Sequence, residues 1–317
     1  VAIDSSIDVH SGQAAAVEGR GPWQLAWARL RRDRVAIGCA IFIGLLVLVA
    51  VLAKPISALI GYTPTQQDRV NGISPAGLPM PPSLHHLLGT DNLGRDILVR
   101  IINGSQVSLA VGVGAAAVAV LIGVLVGMCA GFLGPVVDSV LARLIDVVLS
   151  FPFLLFAIAL VTVAGPSELI EIAVIAFFSW ASVSRIVRGQ TLAIREKEYI
   201  EAARSLGAGN LRIMVVDVLP NLVAPVIVYT TLLIPVSIVF ESTLSYLGVG
   251  IVPPTPSWGN MISDAQGYYQ VAWWFLLFPG LALILTTLAF NLLGDSVRDA
   301  LDPRSERLFT GWRKSTP

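Results

Sequence analysis

Residues 170–240 read IEIAVIAFFSWASVSRIVRGQTLAIREKEYIEAARSLGAGNLRIMVVDVLPNLVAPVIVYTTLLIPVSIVF. Two apolar runs, Ile170–Val187 and Leu222–Phe240, flank a basic stretch holding Glu201-Ala202-Ala203-Arg204-Ser205-Leu206-Gly207 and, further on, Leu219-Pro220-Asn221. Connections between membrane helices are usually short. One this long that is itself helical and amphipathic reads as a docking surface for something outside the bilayer. Tyr199, Ala202, Ala203 and Leu206 share one helical face, and Leu211, Met214, Val215 and Val218 share another. Gly207 and Gly209 separate the two. Glycine closes the first helix at positive φ, and Pro220 opens the next span in its first turn, where an N–H is not needed. The expectation is a helix-turn-helix lying across the inner membrane surface.

Outward from this stretch, the 317-residue chain is 55% hydrophobic and 13% charged, with mean hydropathy +0.76. That composition belongs in a membrane. Six apolar runs are long enough to span: Val35–Ala53, Val107–Phe132, Leu144–Val163, Ile170–Val187, Leu222–Phe240 and Val271–Leu293. They are too long and continuous for barrel strands, so the expected fold is all-α and polytopic. Residues 107–296 form a five-helix core with its loop at 196–221. Residues 1–34 and 297–317 are tails, and the first residues, to about Gly21, are expected to be disordered. The run at 35–53 reads as a retained signal anchor, being too long for a signal-peptide core.

Basic residues set the orientation. They cluster before the first span (Arg29, Arg31, Arg32, Arg34), between the fourth and fifth (Arg185, Arg188, Arg195, Lys197, Arg204, Arg212), and after the sixth (Arg298, Arg304, Arg307, Arg313, Lys314). Those regions, with both termini, are expected on the cytoplasmic side. The loop 54–106 is expected outside although it carries Lys54, Arg69, Arg95 and Arg100, because long loops translocate with little regard for charge. Its proline-rich centre leads to a short helix expected over Arg95–Ile102. Net charge is zero and argues for no nucleic-acid partner.

Several polar groups invite functional readings and receive bland ones. Gly123, Gly127 and Gly131 repeat every four residues and read as a helix-packing stripe. Glu241, near the outer end of the fifth span, would cost about 3 kcal/mol ionised in lipid and must face a partner or water, as part of a gating or pore pair. Asp146 and Glu171 read as shallow enough to snorkel or cap. His85 and His86 read as a solvated loop pair, and Asp91, Asn92 and Asp96 as helix caps rather than metal ligands. Cys39 and Cys129 fall inside apolar runs and read as packing residues. No G-x-x-x-x-G-K-[ST], H-E-x-x-H or G-x-S-x-G occurs, so neither an ATP site nor a hydrolase centre is written here.

In its loop the sequence resembles the permease subunits of binding-protein-dependent ABC importers, with Glu201, Ala202, Ala203, Leu206, Gly207, Leu219 and Pro220 standing at that family's ATPase-coupling positions. It departs at Asp217, where the family pattern is apolar. Leu88-Gly89-Thr90-Asp91-Asn92-Leu93-Gly94-Arg95-Asp96, Ser245-Tyr246-Leu247-Gly248, Pro253-Pro254-Thr255-Pro256-Ser257-Trp258-Gly259, Asn291-Leu292-Leu293-Gly294-Asp295 and Leu301-Asp302-Pro303-Arg304 are similar to the peptide/nickel permease group, most of all to its dipeptide "C" subunit. The similarity runs from about Trp23 to Arg304. It implies a non-catalytic six-span subunit paired with a homologous permease, two ATP-binding subunits carrying ATP and Mg, and an extracytoplasmic peptide-binding protein. The substrate it implies is a di- or oligopeptide, with nickel complexes or haem as alternatives. An ion-coupled carrier would show inverted repeats or paired midplane charges, which are not evident. A scaffold or receptor could recruit a cytosolic protein through the same loop, and substrate-stimulated ATP hydrolysis separates it from an importer.

Overall fold

The computed structural model describes residues 22–302. The expected N-terminal disorder and the positions from Pro303 onward lie outside the described residues.

The fold is all-α. In chain order the helices are α1 (Pro22–Leu30), α2 (Arg34–Val51), α3 (Ala53–Ile60), α4 (Ile97–Phe132), α5 (Pro135–Ser150), α6 (Phe153–Ala164), α7 (Glu168–Arg195), α8 (Glu198–Ser205), α9 (Asn210–Ile213), α10 (Leu219–Tyr246), α11 (Trp258–Ala265) and α12 (Trp273–Leu301). A π-turn over Met214–Val218 fuses α9 to α10. By length and composition α2, α4, α7, α12 and the α9–α10 rod can each cross a membrane, which makes five; the pair α5–α6, bent by 85°, makes a sixth when the two are counted as one broken span.

The third span is therefore not the straight helix expected over Leu144–Val163. The bend falls at Phe151-Pro152, where proline supplies no N–H and biases the residue before it away from helix. Phe151 is extended, at φ −79° and ψ 135°. The short helix expected over Arg95–Ile102 is the first part of α4, which runs unbroken for 36 residues. Asp96 starts it, its Oδ1 accepting the Val99 N–H at 2.9 Å. α1 and α11 were not foreseen. α11 begins at a reciprocal cap in which the Ser257 Oγ accepts the Asn260 N–H and the Asn260 Oδ1 accepts the Ser257 N–H.

α4 and α7 form the central pair, and the glycine stripe is their seam. A Cβ built on Gly123 would lie 2.5 Å from the Val183 Cβ, on Gly127 2.6 Å from the Ser184 carbonyl, and on Gly131 2.6 Å from the Thr191 Cβ. Only hydrogen fits at this approach. The Ser184 hydroxyl donates across the seam to the Gly123 carbonyl at 3.1 Å. α10 packs on α4 and α12, and α2 on α12. Asp33 joins these outer helices, one carboxylate oxygen accepting the Val35 N–H and the other the Ser296 hydroxyl.

Candidate functional site

α8 is fixed on one side and bare on the other. Ile200 is fully buried and Ala203 and Ala208 pack beside it, against a core that includes Ile213, Met214 and Val218. The Arg204 guanidinium lies 5.2 Å from the centre of the Phe132 ring, at the end of α4. Glu201, Ala202, Leu206 and Gly207 face outward. Leu206 is 88% exposed, Leu211 75% and Tyr199 45%. Gly207 sits at φ +80° with nothing within 4 Å of a built Cβ, so its backbone, not its space, calls for glycine. The Ala208 N–H, beyond it, donates to the Ala203 carbonyl.

The second face expected in this loop, Leu211/Met214/Val215/Val218, is split. Met214 and Val218 are buried while Leu211 and Val215 are exposed. The buried side of this turn is instead Ile213, Met214 and Val218, and a π-turn follows, in which the Leu219 N–H reaches back five residues to the Met214 carbonyl. Pro220 removes the next donor, and the Asn221 Nδ2 donates to the Asp217 carbonyl at 2.6 Å. Leu219-Pro220 forms the first turn of α10, as expected, and α9 runs into it through the π-turn.

At the opposite end Glu241 is fully buried, and its partners are hydroxyls, not a cation. Ser245 and Ser242 donate to its two carboxylate oxygens at 3.0 and 3.1 Å, and the Ser108 and Ser257 hydroxyls lie beside it. Three of these serines each accept a backbone N–H: Ser245 from Ile251, Ser108 from Trp258 and Ser257 from Asn260. The carboxylate thus gathers α4, α10 and the start of α11. Glu171 is 1% exposed, which corrects the expectation that it snorkels or caps. Neither of its carboxylate oxygens finds a hydrogen bond among the described residues. It lies in the space left by Gly250, where a Cβ would be 2.7 Å from the Glu171 Oε1. Asp146 pairs with Arg185 at 2.7 Å, both exposed, and Asp138 forms a two-pronged pair with Arg188.

Residues 61–96 fold as a loop module at the Glu241 end. His86 is not solvated as expected but fully buried, with Nδ1 2.9 Å from the Asp96 Oδ2 and Nε2 3.5 Å from the Asp68 Oδ2. Hydrogen bonds to Asp68, the first from the Asn71 N–H, hold its carboxyl below the usual range. Asp91 is a hub as well as a cap. It accepts the Leu93 and Arg95 N–H groups and the Arg95 Nε, with the Arg100 Nε at 3.4 Å. Asp264 of α11 lies 3.5 Å from Arg95, although burial pushes its carboxyl up. Arg95 and Arg100 are thus neutralised internally, which explains why this segment carries arginines yet breaks the charge pattern of the other loops. The Trp274 Nε1 donates to the Thr90 carbonyl at 3.3 Å and clamps the module on α12.

This architecture defines a polytopic helical membrane subunit that presents a rigid, partly apolar edge outside its span bundle. The chain belongs to the family described as "Binding-protein-dependent transport system inner membrane component", whose model matches residues 119–307, and residues 21–82 match the "N-terminal TM domain of oligopeptide transport permease C". It is 41% identical over 285 residues to the glutathione transport system permease protein GsiD of Escherichia coli O6:K15:H31, covering 90% of this chain and 91% of that one. Against GsiD of Pectobacterium atrosepticum the identity is 39%, with 90% and 92% covered. A solved structure of the MetNI methionine ABC transporter in inward-facing form shares the fold at TM-score 0.54 and 16% identity, over 64% of this chain and 96% of that one. The chain is a non-catalytic ABC-importer permease of the peptide/nickel group, a multi-pass inner-membrane protein that works with ATPase and partner permease subunits.

Proposed function

We propose that this permease carries short peptides, glutathione-like tripeptides among them, into the cytoplasm. Both of its termini and α8 lie on the cytoplasmic side, and the 61–96 module lies outside. Two ATP-binding subunits, holding ATP and Mg, dock on Glu201, Ala202, Ala203, Leu206 and Gly207. Leu219 and Pro220 join that edge to α10. A homologous permease completes the path, and an extracytoplasmic peptide-binding protein delivers the substrate.

The observation that carries this reading is the one-sided burial of α8. Ile200 is sealed into the bundle while Leu206 stands 88% exposed. An apolar side chain held out on a short, well-anchored helix is what a partner cleft requires. Because α8 is joined by the short turn at 206–209 to α9, and α9 continues through the π-turn into α10, a push on α8 is passed to a spanning helix. The ATPases shift the permease between two states only if they bind those states with different affinity. Glu241, gathering three elements at the far end, serves in this scheme as a structural latch for the outer gate. ATP-dependent uptake of labelled tripeptide by the reconstituted complex tests the function. Uptake driven by an ion gradient without ATP would overturn it.

A further inference from the structure

A cavity of 420 Å³ opens where α5 bends into α6, bounded on its other sides by α7 and α10. Small-molecule sites have volumes of this order, roughly 300–1,000 Å³. Phe153, Phe178 and Phe240 form an apolar wall, with the Phe153 ring 4.1 Å from that of Phe240 and 5.3 Å from that of Phe178. Ser179, Ser182 and Tyr229 supply the polar side.

Two features set this cavity apart from a gap between helices. The first is the broken span. The last carbonyls of a helix have no intrahelical partner, and lipid supplies none, so a break at membrane depth must face protein or a water-filled path. At the end of α5 the Ser150 hydroxyl donates to Val147 and the Phe151 N–H to Val148, and Leu149 and Phe151 line the cavity. The second is the hydroxyls. Thr230 and Thr231, beside Tyr229 on α10, return theirs to carbonyls of their own helix at 2.7 and 2.8 Å. Ser179, Ser182 and Tyr229 make no side-chain hydrogen bond among the described residues. They lie idle around an apolar chamber.

Ser179 and Ser182 are three residues apart at the middle of α7. Side chains so spaced stand about 5–6 Å apart on one helix face. Along an extended chain the groups pointing one way recur every two residues, about 6.6 Å. We propose that the cavity is a way-station for the main chain of an extended short peptide. The two serines hydrogen-bond amide groups on one edge of the peptide, and the phenyl wall receives its side chains. Such a site reads main chain and tolerates varied side chains. Tyr229 stands at its exit, because it also borders the seam of Val183, Val187, Leu222 and Val226 that leads toward α8, where α7 and α10 close to about 10 Å³.

The assignment rests on the peptide-import reading, and the test keeps the two apart. The complete importer is assembled in proteoliposomes with Cys39 and Cys129 replaced by alanine. Its binding protein is loaded to saturation with Ala-Phe-Ala, or with the same tripeptide N-methylated at its central amide. In the parent, the N-methyl peptide is carried less well per ATP hydrolysed. With Ser179→Ala and Ser182→Ala together, Ala-Phe-Ala uptake per ATP falls about fivefold, the size expected for lost hydrogen bonds, and the discrimination disappears. Ser182→Cys reacts with a cationic methanethiosulfonate, and Ala-Phe-Ala slows the reaction. If the double variant does not assemble, Ser179→Ala and Ser182→Ala are read singly, each with a smaller loss of uptake per ATP and of discrimination expected. Variants that keep the parent's uptake per ATP and its discrimination, or an unprotected Ser182→Cys, overturn the way-station and leave the function standing. A parent that carries no Ala-Phe-Ala overturns both.

Discussion

The Asp96 carboxylate performs two tasks, capping α4 through Oδ1 and holding the buried His86 ring through Oδ2 at 2.9 Å. Asp96→Ala removes the cap and strands a buried imidazole nitrogen. The two losses are worth about 1 kcal/mol and about 1–3 kcal/mol. We expect a lower apparent melting temperature in detergent for Asp96→Ala, with Asp96→Asn milder because its amide oxygen can still accept one bond. Equal stability of Ala, Asn and parent would contradict the dual role.

Glu241→Gln places two amide protons where four serine hydroxyls converge. The carboxylate accepts from every side and an amide cannot, so one or more buried donors lose a partner, at about 1–3 kcal/mol each. The expected result is a poorly stable chain by thermal gel filtration. Glu241→Asp, which keeps both acceptors, should be partly rescued.

Gly127→Ala drives a methyl group to 2.6 Å from the Ser184 carbonyl and 3.0 Å from the Arg188 N, both backbone atoms. Relief requires α4 and α7 to part, a cost of about 1–3 kcal/mol. Gly44→Ala meets nothing within 4 Å and should be neutral or stabilising, since alanine favours helix by about 1 kcal/mol. Comparing the two by yield and melting temperature checks the seam, and equal effects would count against it.

Gly207 has space but an unusual backbone, with φ +80°. Gly207→Asn, tolerant of this region, should keep most peptide-stimulated ATP hydrolysis, whereas Gly207→Val should lose much of it through about 1–2 kcal/mol of strain. Gly207→Asp should still insert but couple poorly. A Gly207→Val complex as well coupled as the parent would show that the turn is free to rearrange.

Spans and the α8 loop were legible in the sequence because both rest on local periodicity and composition. The bend of the third span was hidden inside a continuous apolar run, and its one signal was Phe-Pro at 151–152. His86 and Glu171 were misread for a shared reason. Their burial depends on residues distant in sequence, Asp68 and Asp96 for the histidine and Gly250 for the glutamate, and no local pattern announces such a neighbour. The split of the second loop face has the same character, because which side of that turn meets the bundle is decided by tertiary packing. The hydroxyls around Glu241 were visible only as scattered serines, and their convergence is tertiary.

The central claim is that α8 is the edge on which an ATPase subunit docks. Leu206→Cys in a chain with Cys39 and Cys129 replaced by alanine gives one thiol at a fully presented point of that edge, and a short bifunctional thiol–amine reagent can be applied to the complex purified with its operon partners. The account predicts a Leu206→Cys cross-link to the ATP-binding subunit that is lost when Gly207→Asp is added. Recovery of the chain without an ATPase, or an ATPase that cross-links from elsewhere but never from position 206, would contradict it.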